Sequence, residues 1–181
     1  MPSRTPRRTA LLALAVTPLV MTMMPLDAQA ADAKPTMTGN WEGSYVCGQG
    51  ITGLTLTIAR QSGAIFSGTF HFYPLPGNSA AKEGCFAVTG HFVAGRRVFI
   101  GGASWISRPT DYITVDLDGD VDAAGRTMKG RVKVPASYGA LCSTFQVSLA
   151  AGPPVTPGPC QTTKSASLDM PPGAGSIADQ R

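Results

Sequence analysis

Residues 39–58 read GNWEGSYVCGQGITGLTLTI, and the spacing within this stretch decides the fold. Trp41, Gly43, Tyr45 and Cys47 share one side of a two-residue repeat, Gly48-Gln49-Gly50 reverses the chain, and Leu54, Leu56 and Ile58 then recur on one side of a second repeat. Thr55 and Thr57 take the other side, where their branched side chains suit a pleated surface. A period of two is that of a strand with one apolar face, so this stretch predicts a hairpin.

The same alternation continues outward. After Ser62-Gly63, Phe66, Phe70 and Phe72 pattern a third strand, which the Pro-rich stretch Tyr73 to Ala81 ends because proline cannot donate to a ladder. Phe86, Val88 and Phe92 mark a fourth strand, Ala94-Gly95 its turn, and Val98 with Ile100 a fifth that runs to Trp105 before Arg108-Pro109. Tyr112 to Leu117 predicts a sixth, Asp122 to Gly125 a turn, Met128 to Val134 a seventh, and Leu141 to Ala150 an eighth with Phe145, Val147 and Leu149 on one face. Helical periodicity is absent, and 21 Gly and 15 Pro in 181 residues suit a turn-dense sheet protein. The expectation is an all-β fold, a small antiparallel eight-stranded meander barrel over residues 38–150, closed so that no edge is left exposed.

The flanks differ in character. Arg4, Arg7 and Arg8 precede an apolar run from Leu11 to Met24, and Ala28-Gln29-Ala30 supplies a small-x-small cleavage site, so residues 1–30 read as a signal peptide. Thr17, Pro18 and Thr22 interrupt the run, which argues against a membrane span. Residues 31–37 read as a linker, and residues 151–181, rich in Pro, Gly and Ser, as a disordered tail with Cys160 as its tether. Export places the protein in the periplasm or outside the cell. Removing the signal takes away three arginines and one aspartate, which halves the formal charge of +4. With Arg96-Arg97 the longest remaining basic run, nucleic acid is not an expected partner.

Cys47, Cys85, Cys142 and Cys160 all lie in the exported part, where an even number of thiols pairs. Four cysteines allow three connectivities. Cys47 and Cys142 fall at the ends of the first and last expected strands, which favours joining them and leaves Cys85 with Cys160. No C-x2-C cluster suggests zinc.

Two resemblances follow from these residues. The run from Trp41 to Thr52, with Cys142-Ser143-Thr144-Phe145 at the far end, resembles a W-x-G-x-Y-x-C-x-Q-G-x-T module of secreted bacterial proteins over residues 39 to 149. That resemblance implies a shared fold, supports pairing Cys47 with Cys142, and implies no catalytic residue. Gly39-Asn40-Trp41 and Thr110-Asp111-Tyr112 also resemble the G-x-W and T-D-Y motifs of the calycins, the lipocalin-like and avidin-like barrels. The calycin resemblance implies a Trp41 that closes one barrel end beneath a cation, for which Arg126 or Arg131 is placed. The chain departs from lipocalins in its Pro-rich C-terminus and short strands, and a small barrel is commonly filled by its own side chains.

Catalytic patterns are missing. The cysteines are expected to be oxidised, no G-x-S-x-G elbow occurs, and Gly101-Gly102-Ala103-Ser104-Trp105 lacks the second glycine. Within residues 38–150, Glu42, Glu83 and Asp111 are the acids outside the Asp116–Asp122 run, and their spacing pairs none of them. Asp116, Asp118, Asp120 and Asp122 alternate as calcium ligands sometimes do, but position six of the loop counted from Asp118 is Ala123 and position twelve Lys129, so the run reads as a solvated strand end and turn. His71 and His91 face away from the apolar side with no carboxylate near them in sequence, and read as polar side chains turned to solvent or paired with a neighbouring strand. No metal and no cofactor is expected.

Recognition falls to the aromatics. Trp41, Tyr45, Tyr73, Trp105 and Tyr112 are the candidate ligand-binding residues, since they combine area with a polar tip. Tyr73-Pro74-Leu75-Pro76 opens a rigid loop, residues 74–84, suited to a lid or contact site. The sequence thus predicts an exported, monomeric, non-enzymatic module that binds a small ligand or envelope component. A secreted inhibitor of a hydrolase acting through the 74–84 loop and a structural envelope protein are the alternatives. Trp105 and Tyr112 turned inward around a void would favour the ligand, whereas a filled interior beneath an exposed loop would favour the partner.

Overall fold

Alternation in the sequence becomes alternation across a single closed sheet. The structure, a computed structural model, describes residues 34–161; the signal reading of residues 1–30 and the tail beyond residue 161 lie outside the described residues. Eight strands follow in chain order: β1 (Gly39–Cys47), β2 (Gly50–Ser62), β3 (Ile65–Tyr73), β4 (Gly84–Ala94), β5 (Arg97–Ser107), β6 (Asp116–Val121), β7 (Thr127–Lys133) and β8 (Thr144–Leu149). Each pairs antiparallel with the next, and β1 pairs with β8 from Trp41↔Leu149 to Tyr45↔Phe145, which closes the barrel. Among the described residues no helix is long and apolar enough to cross a membrane.

The inward positions fill the barrel. Trp41, Phe66, Phe70, Phe72 and Phe86 are fully buried, and Phe70 stacks on Phe86 with ring centroids 4.5 Å apart. Each such side chain contributes about 1.5–3 kcal/mol by leaving water. Inward glycines make the room: a Cβ on Gly90 would collide with the Phe66 ring, and one on Gly119 with Phe145. The result is an occupied interior instead of a central void, as a small barrel's dimensions favour.

Three expectations shift. The sixth strand begins at Asp116, four residues later than its branched residues suggest, because residues 112–115 turn in to cap the barrel mouth and Asp116 to Asp120 take the ladder positions instead. The stretch before β1 is no free linker, since Met37 is fully buried and its carbonyl accepts the Trp41 Nε1–H at 2.7 Å. A buried indole needs such an acceptor. Residues 151–161, expected to be disordered, instead cross the outside of the sheet: Asn40 Nδ2 donates to Val155 O and Val155 N–H donates back to Asn40 Oδ1, both at 3.1 Å. Cys160 then lies buried against β4.

Both disulfides join the expected partners, Cys47 with Cys142 and Cys85 with Cys160. The first ties the end of β1 to the approach to β8, where the barrel closes. The second clamps residues 151–160 over the outer face.

Candidate functional site

The concavity nearest the aromatic candidates lies at the mouth where β1 ends, not in the centre. It is half-open, with a volume of about 220 Å³. Its floor is Tyr45, Val115 and the Cys47–Cys142 disulfide; its rim is Gln49 from the β1–β2 turn, Asp111, Tyr112 and Ile113 from the β5–β6 connection, and Leu141. Three separate chain reversals meet here because β1, β6 and β8 all reach this end of the barrel.

Polar groups are held at fixed places around it. Gln49 Nε2 donates to Tyr45 Oη at 3.0 Å and lies 3.1 Å from Thr52 Oγ1. Burial, with the nearby Tyr112 phenol adding to it, pushes the Tyr45 hydroxyl well above the ordinary phenol range, so it stays neutral as a donor. Tyr112 stacks on Phe72 at 5.3 Å, and its hydroxyl accepts the Lys82 backbone N–H at 2.9 Å. Asp111 sits at φ 68°, the one non-glycine residue in the left-handed region among the described residues. Such a backbone costs roughly 1 kcal/mol or more and tends to persist where the surroundings use it.

The five candidate residues divide. Tyr45 and Tyr112 line the cavity. Trp105 stands behind it, edge-on to Phe86 at 5.3 Å and Phe72 at 6.2 Å, with the Arg108 guanidinium 5.6 Å from its ring centroid. Trp41 does not reach the site: it lies four residues back along β1, about 13 Å away at the rise of a strand, and is fully buried. Among the described residues the cation–π contact is Arg108 with Trp105, and neither Arg126 nor Arg131 makes the one expected with Trp41. Tyr73 points outward instead, covering Gly53 and packing on His71 at 5.1 Å. Alternation accounts for that, since Phe72 takes the inward position. Gln49, Asp111 and Leu141 were not legible as site residues, because only the closed barrel brings their loops together.

The 74–84 loop borders the same mouth and is fastened. Asn78 Nδ2 donates to Gln49 O at 2.9 Å and Ile51 O at 2.7 Å, and Ala81 is buried, while Pro74, Pro76, Ser79 and Ala80 face solvent.

Two other clusters take fixed partners in the structure. The aspartate run is a strand, and its outward members face cations across the ladder: Asp116↔Lys133, Asp118↔Arg131 and Asp120↔Lys129. Arg97 adds a two-point contact to Asp118 at 2.9 and 3.0 Å, which holds the Asp118 carboxyl below its ordinary range. Asp116 Oδ1 accepts the Gly102 N–H, and Asp122 accepts the Arg126 N–H at 2.7 Å in the β6–β7 turn, so these carboxylates have partners within the sheet and its turn. Of the two readings of His71, exposure to solvent does not hold. It faces outward as expected, but Tyr73 and Cys160 lie against it, it is only 8% exposed, and Nε2 lies 2.8 Å from Glu83 Oε1, a carboxylate twelve residues away. His91 stays exposed beside Phe99.

No protein-family model, curated protein or solved structure matches the chain, so what the site does rests on the chemistry of the residues that build it.

Proposed function

We propose that the chain is an exported, monomeric, non-enzymatic binding module whose recognition site is the cavity at the Tyr45–Tyr112 mouth. One observation carries this reading: although the filled interior by itself favours a protein partner, the concavity left at this mouth sets neutral phenol, amide and carboxylate groups around an apolar floor. Its 220 Å³ lies below the roughly 300–1,000 Å³ of sites that enclose a drug-sized molecule. The occupant is therefore a small ring or short chain, either free or as the tip of an envelope component. The signal-like residues 1–30 and the two disulfides support an oxidising, exported setting. The calycin-like motifs fit the barrel's form, but the packed interior supports surface capture instead of a deep carrier.

A second reading keeps the hydrolase inhibitor. The filled interior and the exposed, fastened 74–84 loop favour it, since a loop already held in one shape loses little entropy on binding.

Mass spectrometry of molecules retained by protein purified from its native envelope tests both. The ligand reading expects a small molecule that the cavity-filling variant Leu141→Trp no longer retains. A retained protein, lost on substituting Pro76 or Ser79 but not with Leu141→Trp, replaces it with the inhibitor reading; retention of nothing removes both.

A further inference from the structure

A second site lies on the outer face of the sheet, outside the mouth cavity. His71 and Cys85 are directly paired across β3 and β4, and Cys160 arrives over them from the C-terminal segment. All three are buried, and a ligand atom from each lies within 4.8 Å of the others. His71 Nε2 is engaged by Glu83, while His71 Nδ1 is buried without a partner, the one such side-chain nitrogen or oxygen among the described residues. Buried polar atoms are almost always satisfied, so an orphan in a protein interior asks for an explanation.

We infer that opening the Cys85–Cys160 disulfide uncovers a zinc site formed by His71, Cys85 and Cys160, with Glu83 as the positioning residue. Metal-bound histidines commonly give one ring N–H to a carboxylate and the other nitrogen to the ion. The His71–Glu83 contact supplies the first half of that arrangement and leaves Nδ1 for the second. Two thiolates and an imidazole are a donor set that zinc favours, with a fourth position for solvent. While the bond is closed the sulfurs are poor ligands, so the site exists only in the reduced chain.

The gate is a balanced exchange. One thiolate of a dithiol reductant attacks a sulfur of the bond, and its second thiol closes the mixed disulfide, leaving Cys85 and Cys160 as thiols and the reductant as its own disulfide. Zn²⁺ then displaces both thiol protons to solvent. Access requires residues 151–161 to lift. Beyond the disulfide their hold on the sheet is slight, chiefly the Asn40–Val155 pair and a long contact of 3.5 Å from Thr57 Oγ1 to Val155 O. The same contacts keep Cys160 near Cys85 after reduction.

The test uses the full chain carrying Cys47→Ala and Cys142→Ala, oxidised or reduced and desalted, titrated with Co²⁺ and then Zn²⁺. The reduced form should take one Co²⁺ with a tetrahedral, thiolate-type absorption spectrum that Zn²⁺ abolishes. Zinc should also restore or raise its thermal midpoint, and the oxidised form should bind neither ion. Glu83→Gln should weaken metal binding about 10–100-fold, and His71→Ala at least as much. An absent tetrahedral spectrum, equal binding by the oxidised form, unchanged affinity in His71→Ala, or a reduced chain whose thermal midpoint zinc leaves unchanged would each overturn the site. These measurements read metal at the outer face and no ligand at the mouth cavity, whose floor loses its disulfide in this variant, so their failure leaves the proposed function standing.

Discussion

β2 and β6 belong to one barrel, yet their outer faces are finished in opposite ways. From Thr52 to Ile58 every residue of β2 is buried, on both faces, whereas β6 buries Leu117, Gly119 and Val121 and leaves its aspartates at or near the surface. Over β2 and its neighbours lie Tyr73 and the returning residues 151–160, which seclude Thr55, Thr57 and His71. Over β6 no second layer lies among the described residues, and charge does the work: a row of aspartates is tolerated because β5 and β7 present Arg97, Lys129, Arg131 and Lys133 to it. A barrel wall can thus be completed by a second layer or by alternating charge. The two solutions differ in how much free energy hangs on one contact.

The largest effect is expected on the covered side. Replacing Cys85 and Cys160 together by alanine should lower the unfolding free energy by about 2–5 kcal/mol, measured by denaturant titration. A loss under about 1 kcal/mol would show that the covering segment contributes little and would erase the contrast. Next comes Asn40→Ala, which removes both hydrogen bonds to Val155 and should cost about 1–2 kcal/mol. Proteolysis between residues 151 and 160 should rise with it, and an unchanged cleavage rate would place the anchor elsewhere.

On the charged side the effects shrink. Asp118→Asn should cost at most about 1 kcal/mol, and the loss should fade as salt is added, because the pair with Arg97 is open to solvent. A larger, salt-independent loss would mean that the ladder is shielded as well as charged. The smallest effect is in acid. Hydrogen bonds from Arg97 to Asp118 and from the Arg126 N–H to Asp122 hold both carboxyls below their ordinary range. Depressed carboxylates stabilise above their unfolded range, near pH 4, and lose that contribution as pH falls through their folded values. The melting temperature should therefore drift down at acid pH, and less so in Asp122→Asn.

Most of the fold was legible because a period of two is written into one face of nearly every strand. The exception is instructive. Tyr112 to Val115 carry branched residues and read as strand, but the barrel uses them to cap its mouth, and context outweighs such preferences easily. The Asp116–Asp120 strand was masked by its charges, although its complement, Lys129-x-Arg131-x-Lys133, stands in the same sequence with the same spacing. Of the mouth, Tyr45 and Tyr112 were visible as aromatics, whereas Gln49, Asp111 and Leu141 became site residues only once three loops met. His71 hid its partner for a similar reason, since Glu83 is reached across the 74–84 loop. Composition marked residues 151–161 as unstructured because it registers absent apolar content and cannot register one asparagine and one cysteine that fasten the segment.

Closure of the barrel and the covering of its outer face both depend on which cysteines are joined. Peptide mapping of the unreduced native protein tests this directly, using trypsin with chymotrypsin because trypsin alone leaves Cys142 and Cys160 on one peptide. Cross-linked peptides joining Cys47 to Cys142 and Cys85 to Cys160, with no free thiol, are expected. Peptides joining Cys47 to Cys85, or Cys142 to Cys160, would contradict it.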